Sequence, residues 1–95
     1  MTEEAALRVK RLRYRSWHRG TQELDLLLGP FADRHLAALT AQELDDYEAL
    51  LEAPEPLIYA LVIGQVPPPA ALDTDLLTRL RAFHQRTPSA NQRQR

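Results

Sequence analysis

The chain has no cysteine and only three glycines among its 95 residues. The lack of cysteine excludes disulfide bonds, thiol catalysis and cysteine-ligated metal, and it fits a reducing compartment. Three isolated glycines do not make a glycine-rich phosphate loop. No run approaches the roughly 18 apolar residues of a membrane-spanning helix. Because residues 1–4 also carry two acids instead of a targeting pattern, we expect a cytoplasmic location.

Apolar residues make up 44% of the chain, which is enough for one modest core at this length. They recur at helical spacing as far as Phe83, and the helix that carries them is expected to run to about residue 86. Residues 87–95 are polar and contain no apolar anchor. We therefore predict a single helical domain over 1–86, followed by a disordered tail over 87–95.

Helix start and stop signals divide this domain into five segments. Thr40 and Glu43 form a capping box, and Gly64 ends an apolar segment for which a strand is the rival interpretation. Gly29-Pro30 predicts a bend in the second helix, or a break with a short restart to about Leu36. The predicted segments are 2–19, 21–36, a helix beginning at residue 40, 54–63, and a helix beginning between residues 70 and 73. The fold class is all-α, a small five-helix bundle.

The first helix carries two stripes at spacings of three and four residues. Ala5, Val9, Leu12 and Ser16 form the stripe that we expect to pack inward, and Arg8, Arg11, Arg15 and Arg19 form the stripe that we expect to face water. A basic helix suggests nucleic acid, but the acidic middle of the chain, with nine acids against one arginine over 21–60, would repel a polyanion. The alternative is a basic face that complements the acidic helices of the same bundle. The inward stripe is too weakly apolar for membrane binding. We expect neither a nucleic-acid nor a membrane partner.

Side chains for catalysis or metal binding are scattered. His18, His35 and His84 lie in separate elements without metal-ligand spacing. Ser16 and His18 are two residues apart in a helix, so they point to different faces and do not form a nucleophile and its base. We therefore predict that the protein is not an enzyme and has no metal site.

The most promising surface is the joint between the first two helices, around Arg19, Gly20 and Glu23. Gly20 can adopt the positive φ that closes a helix, and Thr21 can cap the next one. Arg19 is placed in the last turn of the first helix, so that it and Glu23 flank an open backbone position. An alternative stays open, in which these charges only satisfy helix dipoles and the nearby Trp17 is a core residue. On the binding interpretation, the predicted partner-binding residues are Arg15, Trp17, Arg19, Gly20, Glu23 and Asp25.

This joint resembles the succinate dehydrogenase FAD assembly factor family, the bacterial SdhE type and its mitochondrial counterparts. The family motif Arg-Gly-x-x-Glu is matched by Arg19, Gly20 and Glu23. The matches that continue in register are Asp25, Leu28, Gly29, Phe31 and the segment 48–52. The resemblance covers roughly residues 8–86. It departs in the fourth helix, where Leu57 and Leu61 replace the acid and the tryptophan that members commonly carry.

The resemblance implies a five-helix bundle that helps FAD become covalently attached to the flavoprotein subunit of succinate dehydrogenase, and often of fumarate reductase. It implies that Arg19 and Glu23 make polar contacts with this flavoprotein, and that Gly20 lets its backbone come close. It also implies that the chain holds no cofactor tightly, since FAD sits on the partner. The alternative function is a regulatory interaction module such as an antitoxin, a role also attributed to some relatives.

Overall fold

The computed structural model describes residues 2–86, which form five α-helices and two short 3₁₀ turns. This confirms the predicted all-α five-helix bundle. The predicted tail over 87–95 lies outside the described residues. Within the described part, no helix is both long and apolar enough to cross a membrane. The elements are α1 Glu3–Trp17, α2 Gln22–His35, a 3₁₀ turn Leu36–Ala38, α3 Ala41–Leu51, α4 Glu55–Val62, a 3₁₀ turn Ala70–Leu72 and α5 Asp75–Arg86.

Threonine caps begin the first three helices, as predicted. The Thr2 hydroxyl accepts from the backbone N–H of Ala5 at 3.0 Å, and Thr21 begins α2 in the same way. At α3 the capping box is complete, because Thr40 and Glu43 exchange two side-chain to backbone bonds of 2.9 and 3.1 Å. Each cap satisfies N–H groups that have no partner inside the helix.

Of the two outcomes predicted at Gly29-Pro30, a bend or a break with a restart, the break is wrong, because α2 runs without interruption through both residues. The bend stays a prediction. Pro30 lacks the N–H that would bond the carbonyl of Leu26, but this turn faces outward, where Leu26 is 47% exposed. On the inner side Leu28 and Phe31 are buried on either side of the proline. Burial of this inner face holds the helix together across a position of poor helix propensity.

The core lies between α2, α3, α4 and α5, with the inner stripe of α1 closing one side. Of the four residues expected to pack inward, Val9, Leu12 and Ser16 are buried, whereas Ala5 is half-buried. The Ser16 hydroxyl donates to the carbonyl of Leu12 at 2.8 Å, so it accepts from the buried Tyr47 hydroxyl at 2.5 Å. This satisfies the polar atoms of both side chains in an otherwise apolar interior. The remaining core residues are Leu24, Leu27, Leu28, Phe31, Ala32, Leu36, Leu39, Leu44, Leu50, Leu51, Ile58, Leu61, Val62, Leu76, Leu77, Leu80 and Phe83.

The α4 segment is a helix, so the rival strand interpretation is wrong. Leu61 is fully buried, and Leu57 is half-buried against the core. The two positions at which the sequence departs from the family pattern therefore contribute apolar packing in this chain.

Two arginines of the basic stripe, Arg8 and Arg15, are paired with the acidic face of α3. Arg8 donates to Asp45 at 2.6 Å and to Glu48 at 2.9 Å, and Arg15 lies 3.7 Å from Glu48. Such exposed pairs contribute little stability singly, about 0–1 kcal/mol each. Their charges nevertheless confirm the interpretation in which the basic face complements the acidic helices of its own bundle.

His35 ends α2 inside an aromatic cluster. Its ring centroid lies 5.0 Å from that of Phe31 and 5.4 Å from that of Phe83, with the second pair edge to face. This packing covers the apolar part of the imidazole and removes it partly from water. A charged imidazolium would lose hydration in this place.

The free energy of unfolding should therefore decrease at acidic pH, because His35 becomes protonated there. Burial, followed by the charges of Arg79, Arg34 and Arg86, lowers the pKa of His35 below 6.5. Because the folded pKa lies below the unfolded value, the stabilisation is fully present above pH 6.5 and is lost as the pH falls through the folded pKa. As the pH is lowered through this range, we expect the urea midpoint of His35→Gln to decrease less steeply than that of the wild type. An equal or steeper loss would show that His35 does not contribute.

Candidate functional site

The segment that joins α1 to α2, residues 18–23, is called the corner here. The His18 N–H closes α1 by donating to the carbonyl of Arg15 at 3.3 Å. Gly20 then has a φ of +101°, which confirms the predicted positive φ and is a conformation that favours glycine. Thr21 caps α2 by accepting from the N–H of Leu24 at 3.3 Å. The chain thus reverses direction within four residues.

Asp25 fixes the corner from within. Its carboxylate accepts from the backbone N–H of Arg19 at 2.8 Å, across six residues. A charged acceptor strengthens such a bond. Asp25 also lies in the first turn of α2, as predicted, where the helix dipole favours a negative charge. This side chain is therefore engaged in holding the corner.

The Arg19 side chain points into the bundle, and it is only 13% exposed. The prediction that Arg19 lies in the last turn of α1 is wrong, since α1 ends at Trp17. Its Nη2 donates to the carbonyl of Leu51 at 2.9 Å. Leu51 is the last residue of α3, where carbonyls lack a donor inside the helix. Arg19 thus caps α3 and ties the corner to the α3–α4 turn.

A carboxylate of α4 also lies close to the Arg19 side chain. Glu55 Oε2 lies 4.0 Å from Arg19 Nε, a nitrogen that is buried and has no hydrogen-bond partner among residues 2–86. The same carboxylate would lie 3.6 Å from a Cβ added at Gly20. Glu55 therefore sits beside the motif glycine and against the motif arginine.

Every residue of the corner except Arg19 is exposed, and Gly20 and Glu23 are the exposed residues of the family motif. Interaction of the Tyr59 hydroxyl with the Glu23 carboxylate, followed by desolvation, raises the pKa of Tyr59. The surface that a partner protein can reach therefore combines the backbone of Gly20, which no side chain covers, with the Glu23 carboxylate. Glu55 and Tyr59 of α4 lie at its border.

Trp17 packs on α2 beside the corner. Its Nε1 donates to Asp33 at 3.2 Å, and its ring lies over Gly29. A Cβ added at Gly29 would come within 2.3 Å of the indole. Trp17 is half-buried, so it supports the corner by packing and keeps only part of its surface open.

The structure thus brings four of the six predicted residues together, namely Arg19, Gly20, Glu23 and Asp25. Arg15 lies on the α3 side beside Glu48, and Trp17 lies on the α2 side. Sequence reasoning missed three contributors: Gly29, Glu55 and Tyr59. The sequence showed Gly29 as one of the in-register family matches, next to Leu28, but the pairing of α4 with the corner has no local signal.

The corner presents groups that can bind a partner protein. Among residues 2–86, no three His, Asp or Glu side chains gather to hold a metal ion. The Ser16 hydroxyl bonds to Leu12 and Tyr47, as described above, and not to a histidine. An exposed carboxylate beside open backbone suits recognition of donors on a partner protein.

The sequence of this chain is similar to those of known proteins. The model of the family described as the flavinator of succinate dehydrogenase matches residues 10–84. The FAD assembly factor SdhE of Acetobacter pasteurianus is 38% identical over 78 residues, 82% of this chain and 72% of that protein. SdhE of Coxiella burnetii is 37% identical over 62 residues, 65% of this chain and 74% of that protein.

The mitochondrial succinate dehydrogenase assembly factor 2 of Dictyostelium discoideum is 40% identical over 68 residues, 72% of this chain. The match spans about half of that longer protein, 48% of its length. The matched region contains the corner and most of the bundle. The chain therefore belongs to the family of succinate dehydrogenase flavinators.

Proposed function

We propose that this protein is an assembly factor that binds the flavoprotein subunit of succinate dehydrogenase and promotes covalent attachment of FAD to it. Family membership supports this function, and the names of the relatives favour it over an antitoxin role. The single observation that carries the site assignment is the corner itself. It exposes Gly20 and Glu23 while Arg19 anchors it from below.

The proposed mechanism is orientation. The protein supplies no group to the flavin chemistry, in which a histidine of the flavoprotein and the flavin would become covalently joined. By binding, it holds the flavoprotein in the arrangement that brings these two groups together, which lowers the entropic part of the barrier. A fixed corner suits this task because little freedom is lost on binding.

Roles within the corner follow from exposure. Glu23 accepts hydrogen bonds from the flavoprotein, and Gly20 lets its backbone approach without a side chain in the way. Arg19 acts mainly as a brace through the Leu51 carbonyl and Glu55. FAD is held by the flavoprotein and not tightly by this chain, which works in the cytoplasm. Fumarate reductase is a second flavoprotein that the same corner would serve.

Loss of the Glu23 charge is expected to reduce flavinylation at least about tenfold, because an interfacial carboxylate that loses its charge leaves its partner donors poorly matched. The test co-expresses the flavoprotein with Glu23→Gln and measures covalent flavin by in-gel fluorescence. Glu3→Gln is the matched control, since Glu3 is also exposed in the first turn of a helix. Wild-type flavinylation with Glu23→Gln would contradict the site assignment.

A further inference from the structure

The side of α1 that faces away from the core carries exposed apolar and aromatic side chains. Leu7, Arg11, Tyr14 and His18 follow one another at spacings of four, three and four, opposite the buried Val9, Leu12 and Ser16. These four residues are called the outer face of α1 here. Leu7 is 49% and Tyr14 is 65% exposed. Two of the three large apolar side chains exposed among residues 2–86 thus lie on a single helix face.

The aromatic part of this face is already ordered. The Tyr14 and His18 rings stack with centroids 3.9 Å apart and planes 17° from parallel. His18 Nδ1 is hydrogen-bonded to the carbonyl of Tyr14 at 2.7 Å, which fixes the imidazole over the phenol ring. A ring pair held in this way loses little rotamer freedom when a partner covers it.

The cations of α1 fall into two groups on different sides of the helix. Arg8, Arg13 and Arg15 lie between 2.6 and 3.7 Å from carboxylates of α2 or α3. Lys10 and Arg11, on the outward side, have no carboxylate within 4.0 Å in the part of the chain that the structure describes. The paired arginines serve the bundle. The unpaired cations are available to an acidic partner.

A groove borders the outer face. It has a volume of about 550 Å³, runs between α1 and the segment that leads into α3, and includes Arg11 in its wall. Ala5, Leu39 and Leu44 give it an apolar part. A groove of this composition can take an apolar side chain whose acidic neighbour meets Arg11.

We propose that the outer face of α1 docks an acidic, partly apolar segment of the same flavoprotein, as a second contact beside the corner. This inference rests on the proposed function. The partner is argued from continuity: His18 is the last residue of the outer face and the first residue of the corner, so one partner can cover both surfaces. Nucleic acid fits less well. A duplex binder that contacts about 6–10 phosphates needs many cations, whereas the outward side of α1 offers the two unpaired cations Lys10 and Arg11 on a protein of net charge −1.

The test measures binding of the purified flavoprotein to wild type, Arg11→Glu and Tyr14→Ala by calorimetry across a salt series. We expect each variant to weaken binding about tenfold, and Arg11→Glu to reduce the salt dependence. Arg86→Glu is the matched control, because it reverses an exposed charge on α5 and should change binding less than about twofold. Thermal unfolding of each variant verifies the fold.

The outcomes separate the two proposals. If wild type does not bind the flavoprotein, the proposed function fails. If wild type binds and both outer-face variants bind equally well, only this inference is overturned. It is also overturned if Arg11→Glu abolishes retention on DNA or self-association while flavoprotein binding is unchanged, since the face would then serve another occupant.

Discussion

Gly29→Ala is expected to lower the free energy of unfolding by about 3 kcal/mol or more, at the upper end of overpacking effects. The added methyl carbon would lie 2.3 Å from Cε2 and 2.4 Å from Cδ2 of Trp17. These atoms belong to the rigid centre of the indole, so the whole ring must move. Its bond from Nε1 to Asp33 would be lost with it. For a small domain with about 5–15 kcal/mol of total stability, this is a large fraction.

The measurement is urea unfolding of wild type and Gly29→Ala, with Trp17→Leu as the matched second change. Without the indole, the methyl group has room, so the double variant should be less unstable than the sum of the two single changes. The coupling should fall within about 0.5–3 kcal/mol. Additive effects would show that Trp17 does not lie over Gly29.

Arg19→Ala is expected to reduce both stability and flavinylation. The stability loss should be about 1–3 kcal/mol, because the Leu51 carbonyl loses its donor and Glu55 loses its nearby cation. Flavinylation should fall at least about tenfold, because Gly20 and Glu23 are no longer held in place. Arg19→Lys should restore little, since an ammonium is a point charge without the fork geometry that serves a carbonyl and a carboxylate together.

Unfolding and covalent flavin are measured on the same variants, which separates two roles of Arg19. If Arg19 acts as a brace, its removal lowers the stability of the protein and the flavinylation together. If Arg19→Ala is as stable as wild type and yet inactive, the arginine leaves Leu51 in the complex and contacts the flavoprotein itself. If it is unstable but fully active, the corner does not need the brace.

Short-range signals predicted most of the helices. Thr2, Thr21 and Thr40 cap within three residues of themselves, so their effect can be read locally. The positive φ of Gly20 follows from its place between two helices. The inward stripe Val9, Leu12 and Ser16 required only the helical period.

Long-range contacts limited the prediction of the site. Arg19 meets the carbonyl of Leu51, 32 residues away, and no local pattern indicates this direction. The expectation of a break at Gly29 considered the helix alone. Trp17, twelve residues earlier, uses the space that the glycine leaves. The motif pointed to the corner, but it did not indicate that its arginine is mostly buried against Leu51 while its glutamate is exposed.

The most direct test of the account is reconstitution from purified components. Apo flavoprotein and FAD are incubated with and without this protein, and covalent flavin is followed over time. The account predicts faster accumulation together with a complex that can be isolated. Equal rates with and without the protein, and no complex, would contradict it.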